Sequence, residues 1–352
     1  MEILEILEYA AHHDASDILI IAGMPVAFKI GGRLERLGDK LFPEHTRTLT
    51  KSLYSLAGRD ITSLLEYGDD DFSFSLPGIC RFRANALRQR GSLGLVIRVI
   101  SFGLPDADSL HIPSVVMDFA SKRHGLVLVT GPAGSGKTTT LACMVDAINS
   151  TREAHIITIE DPIEYLHSHK KSVVIQRELN TDTQSYHVAL RAALREVPDI
   201  ILLGEMRDAE TISAAVTAAE TGHLVISTLH TIGAANTVDR IVDTFPPQQQ
   251  QPVRTQLAMV LEGVVSQKLM PSVDSGQVPA FEIMKSNSAI RTMIRESKSY
   301  QLENTISSSA GEGMITMDQS IFKLFKDGKI TGDTALRYAE NTEFMKKMMS
   351  TL

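Results

Sequence analysis

The chain has no tryptophan and only 5% aromatic residues, which leaves little material for the stacking platforms that bind single-stranded nucleic acids. Cys80 and Cys143 are its two cysteines, too few for a disulfide framework, so a reducing cytoplasm is the expected setting. No apolar run approaches the roughly 18 residues needed to cross a bilayer. The opening Met1-Glu2-Ile3-Leu4-Glu5 lacks the basic flank and apolar stretch of a signal peptide. Excess positive charge is missing too: a net charge of -7 and a pI near 5.9 argue against a chain built to grip a phosphate backbone. Nucleic acid is demoted as a partner, with a local basic channel left open. There is no internal repeat and no low-complexity tract.

What is present is ordinary globular material, 43% hydrophobic and 22% charged. At 352 residues the chain exceeds one usual core, so two domains are expected. Residues 1–100 alternate short helices with hairpin-like strands, an α+β pattern. Ile3, Leu4, Leu7, Ala10 and Ala11 recur at helical spacing, and turn signals fall at Gly31-Gly32, Pro77-Gly78 and Gly91-Ser92. Residues 101–113 read as a linker, because Pro105 and Pro113 bracket a stretch in which periodicity lapses. From residue 114 to 352 a second domain is expected. Its first part alternates helices with nearly continuous apolar strands at Leu126 to Thr130, His155 to Ile159, Ile200 to Leu203 and His223 to Thr228, the signature of a buried parallel sheet. Asp208 and Glu210 mark the start of one helix and Gly222 its end. Beyond about Pro246 the pattern reads as mostly helical, with a loop or hairpin at Pro271 to Pro279.

Gly131-Pro132-Ala133-Gly134-Ser135-Gly136-Lys137-Thr138 fits the P-loop pattern. Its glycines let backbone N–H groups converge on an anion, Lys137 reaches the β- and γ-phosphates of ATP, and the Thr138 hydroxyl takes a place on Mg²⁺. The loop follows an apolar strand and opens a helix, whose dipole adds to the phosphate site. Three further segments end on the same sheet edge, where open α/β sheets hold ligands. Glu160, Asp161 and Glu164 follow one strand and could hold Mg²⁺ or water, or could simply form a helix-capping acidic turn. Glu205, after Ile200 to Leu203 and Gly204, has the form of a Walker B acid, and a water-orienting role suits it better than simple chelation. His230 ends a third strand and could sense the γ-phosphate, while His223 lies at the opposite edge; either could equally be a surface histidine. In the first domain Arg81 and Arg83 alternate on a strand and share a face, so they could act together on an anion, where an arginine finger gives about 10³- to 10⁵-fold in rate. A solvated strand face is the alternative.

Thr158 to Tyr165, Gly204-Glu205-Met206-Arg207-Asp208, Ala218 to His223 and Thr228-Leu229-His230-Thr231 resemble segments of the type IV pilus and type II secretion ATPases. The similarity runs from Ala15-Ser16-Asp17 to the C-terminal helices and is to the twitching-motility retraction branch. It implies a RecA-like P-loop ATPase core with a smaller N-terminal α+β, PAS-like domain, assembled as a homo-hexamer with ATP held between domains. It also implies an Asp box at Glu160, Asp161 and Glu164, a His box at His223 to His230, and Glu205 as the Walker B acid. Gly131, Gly134, Ser135, Gly136, Lys137, Thr138 and Thr139 would bind nucleotide, with Thr138 and Glu205 on Mg²⁺. Arg81 and Arg83 would reach a nucleotide across the subunit boundary, and Arg33 matches an adenine-side loop in position.

Ala289 to Glu296 is similar to a motif of the retraction branch, which implies a partner-coupling set of Ala289, Ile290, Arg291, Ile294, Arg295 and Glu296 together with His223. Ala289, Ile290, Met293 and Ile294 would line an apolar helix face, the pattern of any amphipathic helix. Thr292, Met293, Ala133 and Val197 depart from the family pattern. The implied partners are an inner-membrane pilus platform protein and an assembly ATPase competing for it. Nucleic acid is excluded from that set, and the cytoplasmic ring would touch the membrane only through its partner. The assembly relatives carry an extra N-terminal domain and usually a four-cysteine zinc motif, neither expected here. Three other readings stay open: an assembly or secretion ATPase, a nucleic-acid translocase, and a regulatory nucleotide-binding ring that does not hydrolyse.

Overall fold

The computed structural model describes residues 1–100, 103–274 and 276–351. The chain divides into two compact units, Met1–Gly103 with Glu164–Leu166, and Leu104–Ile163 with His167–Leu352. Of the expected linker, Ser101 and Phe102 lie outside the described residues, as does Ser275 of the expected loop at Pro271 to Pro279. None of the helices among the described residues is long and apolar enough to cross a membrane.

The first unit is built on six strands, β1 (Ala15–Ile20), β2 (Val26–Ile30), β3 (Arg33–Leu37), β4 (Asp69–Leu76), β5 (Cys80–Gln89) and β6 (Ser92–Ile100). They form one antiparallel sheet in the order β3-β2-β1-β6-β5-β4. Gly31 (φ 54) and Gly32 (φ 79) make the tight turn between β2 and β3, in a region of backbone space that glycine enters without a Cβ penalty. Alternation does the rest. Phe72, Phe74, Phe82, Ala84, Leu95 and Ile97 point inward and are buried with Ile6, Leu7 and Ala10 of helix Ile3–His12 and Leu49 and Leu53 of helix Pro43–Leu56. The opposite face is polar, and across it Lys29, Asp17, Arg98 and Arg83 are successive cross-strand neighbours.

Seven strands make the sheet of the second unit: β7 (Gly125–Thr130), β8 (His155–Glu160), β9 (Val173–Glu178), β10 (Ile200–Leu203), β11 (Leu224–Leu229), β12 (Leu261–Pro271) and β13 (Gln277–Lys285). Their order is β13-β12-β7-β11-β10-β8-β9, parallel except for the antiparallel β12–β13 pair. Both faces are covered, so the strands read as continuous apolar runs. Leu126, Leu128, Ile157, Ile201 and Val225 pack toward helices Tyr186–Ala193, Ala209–Glu220, Ala234–Asp243 and Pro247–Val260. Val127, Val129, Ile156, Leu202 and Ile226 pack toward helix Lys137–Thr151.

Beyond Pro246 most of the chain is helical and a hairpin falls at Pro271 to Pro279, but its strands β12 and β13 are longer than expected and enter the sheet beside β7. Helix Pro247–Val260 runs into β12 at Leu261 with no glycine or proline between them, so the boundary carries no punctuation in the sequence. The C-terminal helices, including Met317–Lys326 and Thr342–Met349, bury Met317, Ile321 and Met345 against Met270, Val278 and Ala280 of that hairpin.

Candidate functional site

The four parallel strands β7, β11, β10 and β8 end at one edge, and each delivers a polar segment there. β7 leads into the P-loop, where Gly131 (φ 142), Gly134 (φ 75) and Gly136 (φ 86) take conformations that L side chains rarely adopt. Their turn leaves Ser135 buried with its hydroxyl lacking a hydrogen-bond partner. Such a cradle of backbone N–H groups and one free hydroxyl fits a phosphate chain. The Lys137 ammonium is buried and donates to the carbonyl oxygens of Gly131 and Pro132, 2.9 Å each. Thr138 and Thr139 follow in the first turn of helix Lys137–Thr151, whose N-terminus faces the loop. Among the described residues no group of three or more His, Cys, Asp or Glu side chains could hold a metal ion by itself. The Thr138 hydroxyl, in the first turn beside the phosphate cradle, is a hard oxygen donor of the kind Mg²⁺ takes.

Gln267 of β12 is a buried residue that the sequence reading misses. Its Oε1 accepts from Thr140 Oγ1 at 2.8 Å. A Cβ on Gly131 would lie 2.3 Å from its carbonyl oxygen, and one on Gly136 would lie 2.8 Å from its Nε2. The only signal is a polar residue in an apolar strand, Val264-Val265-Ser266-Gln267.

Glu205 is buried, with Arg207 and His230 of the same edge on either side of its carboxylate. Its Oε1 is 2.5 Å from an Arg207 guanidinium nitrogen, and its Oε2 is 3.4 Å from His230 Nε2. Main-chain bonds lock these strand ends together: Gly204 N donates to Ile159 O at 2.8 Å and Met206 N to Thr228 O at 3.1 Å. Glu160 is also buried, accepting from Thr158 Oγ1 at 2.6 Å and Gln176 Nε2 at 3.3 Å, whereas Asp161 and Glu164 are exposed. Tyr186 stands beside Glu205, Glu160 and Asp161, its hydroxyl 2.7 Å from where a Gly204 Cβ would be. Burial first, and then the charges of Glu205, Asp161 and Glu160, push that phenol's pKa up, so it stays a proton donor. Tyr186 also escapes the sequence reading, and Arg207 stands in the Gly204 to Asp208 segment without a role of its own.

The remaining candidates lie elsewhere. His223 precedes β11 at the opposite strand end, and its Nδ1 contacts Ala218 O at 2.9 Å. In the first unit Arg81 and Arg83 do share a face of β5. Arg83 is held by Asp71 through two hydrogen bonds, 3.1 and 2.5 Å, and Arg81 donates to Ser75 Oγ at 3.3 Å. Arg33 is exposed at the start of the edge strand β3. In helix Ser288–Arg295, Ile290 and Ile294 are fully buried in the core of the second unit. Arg291 caps the preceding helix at the carbonyls of Ala258 and Met259 and pairs with Glu262 at 3.0 Å. Ala289, Arg295 and Glu296 are exposed.

A family model of type II/IV secretion system proteins matches residues 2–317. The chain is 43% identical to the type IV pilus retraction ATPase PilT of Pseudomonas aeruginosa over 344 residues, 97% of this chain and 99% of that protein. It is 50% identical to a twitching motility protein of Neisseria gonorrhoeae over 276 residues, 78% of this chain and 74% of the other. The crystal structure of the pilus retraction motor PilT with bound ADP is similar at a TM-score of 0.89 and 46% identity, covering 99% of each chain.

Proposed function

The chain belongs to the type II/IV secretion system protein family, and from that premise we infer that it is an ATP-hydrolysing motor that powers type IV pilus retraction. The observation that carries the chemistry is the meeting of the P-loop, Glu205 and His230 at one sheet edge. The phosphates of ATP enter the nest at Gly131, Gly134, Ser135 and Gly136, and the Lys137 ammonium moves from the Gly131 and Pro132 carbonyls onto the β- and γ-phosphates. Thr138, with Glu205, would hold the Mg²⁺ that accompanies the nucleotide, and the ion would supply neutralisation of phosphate charge. Glu205 orients the attacking water and takes its proton, with His230 beside it and the Arg207 ion pair opening to release the carboxylate. Glu160 and Asp161, at the end of the neighbouring strand β8, are further candidates for holding that water, and Glu164 is carried with them as the third acid of the expected Asp box. ADP and phosphate leave. In an assembled ring, Arg81 and Arg83 of a neighbouring copy, which share one strand face, are the candidates for charge stabilisation at the γ-phosphate, and Arg33 is carried as a candidate adenine-side contact.

Six copies in a ring would convert successive hydrolysis events into pulling on a pilus through an inner-membrane platform protein, and this ring would compete there with an assembly ATPase. The exposed Ala289, Arg295 and Glu296, with His223, are the residues proposed for that coupling, while Ile290, Arg291 and Ile294 hold their helix in place. Phosphate release decides the enzymatic part: Glu205→Gln should lose at least about a hundredfold in kcat, the usual scale for a general base. Equal rates for the two proteins would refute it. Deletion in a piliated host should leave pili that do not retract; loss of pili would favour an assembly motor instead.

A further inference from the structure

Glu282, in the middle of β13, is a buried carboxylate that the hydrolytic scheme does not use. Its Oε1 accepts from Ala234 N at 2.7 Å, and its Oε2 lies 3.4 Å from Met317 N. These are the first residues of two separate helices, Ala234–Asp243 and Met317–Lys326. One carboxylate thus spans two helix N-termini, each of which offers unpaired N–H groups and the positive end of its dipole. Opposite it in register, Ser266 Oγ accepts from Gly233 N at 3.0 Å.

The first of these helices leaves directly from the His-box strand. Thr231 Oγ1 lies 2.7 Å from Thr237 Oγ1, which in turn donates to Gly233 O at 2.7 Å. A continuous polar chain therefore runs from Glu282 through Gly233-Ala234 and Thr237 to Thr231, the neighbour of His230, and His230 lies 3.4 Å from Glu205. From this geometry we propose that Glu282 is a positioning residue for hydrolysis: it fastens the His-box exit to helix Met317–Lys326, so that the placement of His230 against Glu205 is coupled to the C-terminal helices.

The proposal rests on the ATPase reading, and one experiment separates the two. Phosphate release is measured on the full chain for the wild type, Glu282→Gln, Thr237→Val and the double variant. Gln keeps the shape of Glu but presents an N–H₂ where one of the two backbone N–H groups needs an acceptor. Each single variant should lose about tenfold in kcat, the scale of a small misplacement of a catalytic group, with KM for ATP within twofold. Because both act through one chain, the double variant should be no slower than the slower single. Amide exchange at Ala234 and Met317 should quicken together in Glu282→Gln. A kcat within twofold of wild type in either single variant, or losses that multiply in the double, would overturn the coupling. If Glu282→Gln has no melting transition, Thr237→Val alone decides by the same kcat criterion. A wild type that releases no phosphate would instead defeat the ATPase reading itself.

Discussion

Gln267 and Thr140 are joined by a buried side-chain hydrogen bond of 2.8 Å, across 127 positions of sequence. The bond ties the helix that carries Lys137 to the strand whose carbonyl stands against Gly131. The P-loop is therefore shaped from outside its own motif, by a hairpin that arrives much later in the chain.

Replacing Gln267 by Ala should leave the Thr140 hydroxyl buried and unpaired, at a cost of about 2 kcal/mol. Thermal melting reads the stability loss. Isothermal titration with ADP should show affinity about tenfold weaker, since the loop loses the side chain that Gly136 packs on. An unchanged ADP affinity would mean that the loop holds its own shape.

The loop glycines should not be equivalent. Gly131→Ala would set a Cβ 2.3 Å from Gln267 O and 2.7 Å from Ser135 Oγ, both inside contact distance, so the loop must open and nucleotide binding should fall at least about a hundredfold. At Gly134 nothing lies within 4 Å, and Gly134→Ala meets only the backbone penalty of its φ of 75, about 1–2 kcal/mol. Nucleotide titration of both variants tests the order. Equal losses would contradict it.

Glu282 makes stability depend on pH in a defined direction. Burial, with the charges of Glu340 and Glu303 adding to it, pushes its carboxyl up to about 7, against the pull of the Ala234 and Met317 N–H groups. The folded pKa lies above the unfolded value of 4.5, so the folded state holds the proton more tightly. The contribution to stability is complete below pH 4.5, declines as pH rises toward about 7, and is flat beyond. Its size is about 3 kcal/mol. Denaturant unfolding at pH 5, 6, 7 and 8 should show the wild type losing stability relative to Glu282→Gln through this window. A difference that stays constant with pH would count against it.

What the sequence shows of this molecule depends on how local each signal is. β7, β8, β10 and β11 are legible because a strand buried on both faces is an apolar run, and the P-loop because its chemistry lies in eight consecutive residues. β9 is harder: at the sheet edge, Val173 and Ile175 stay exposed and the apolar run dissolves. β12 hides behind a helix that ends without a turn residue. Gln267 and Glu282 act on groups 127 and 48 positions away, so no motif contains them. A polar residue in an otherwise apolar strand is their only trace, and it names no partner. Helix Ser288–Arg295 shows the same limit: of its expected apolar face Ile290 and Ile294 are buried and Met293 half-buried, but Ala289 is exposed, and the partners of Arg291, Ala258 and Glu262, leave no local signal.

Val197 offers a test of strain far from the nucleotide. It holds φ at 54, where a β-branched side chain crowds its own backbone, and it is 84% exposed, so the side chain gains almost nothing from packing. The conformation is imposed by the turn into β10, where Asp199 Oδ2 accepts His155 N at 2.8 Å and His155 Nδ1 contacts Val197 O at 3.3 Å. Of these contacts only the His155 Nδ1 one touches Val197, at its backbone carbonyl, and neither involves the Val197 side chain. Asn tolerates the left-handed region through its short polar side chain, so Val197→Asn should relieve about 1 kcal/mol of strain without touching a contact. For a unit of this size that corresponds to a rise in melting temperature of about 2 °C, with ATP turnover unchanged. Val197→Ile keeps the branching and should give no gain. A melting temperature that falls with Asn would show that the exposed valine packs on something the turn conformation alone does not explain.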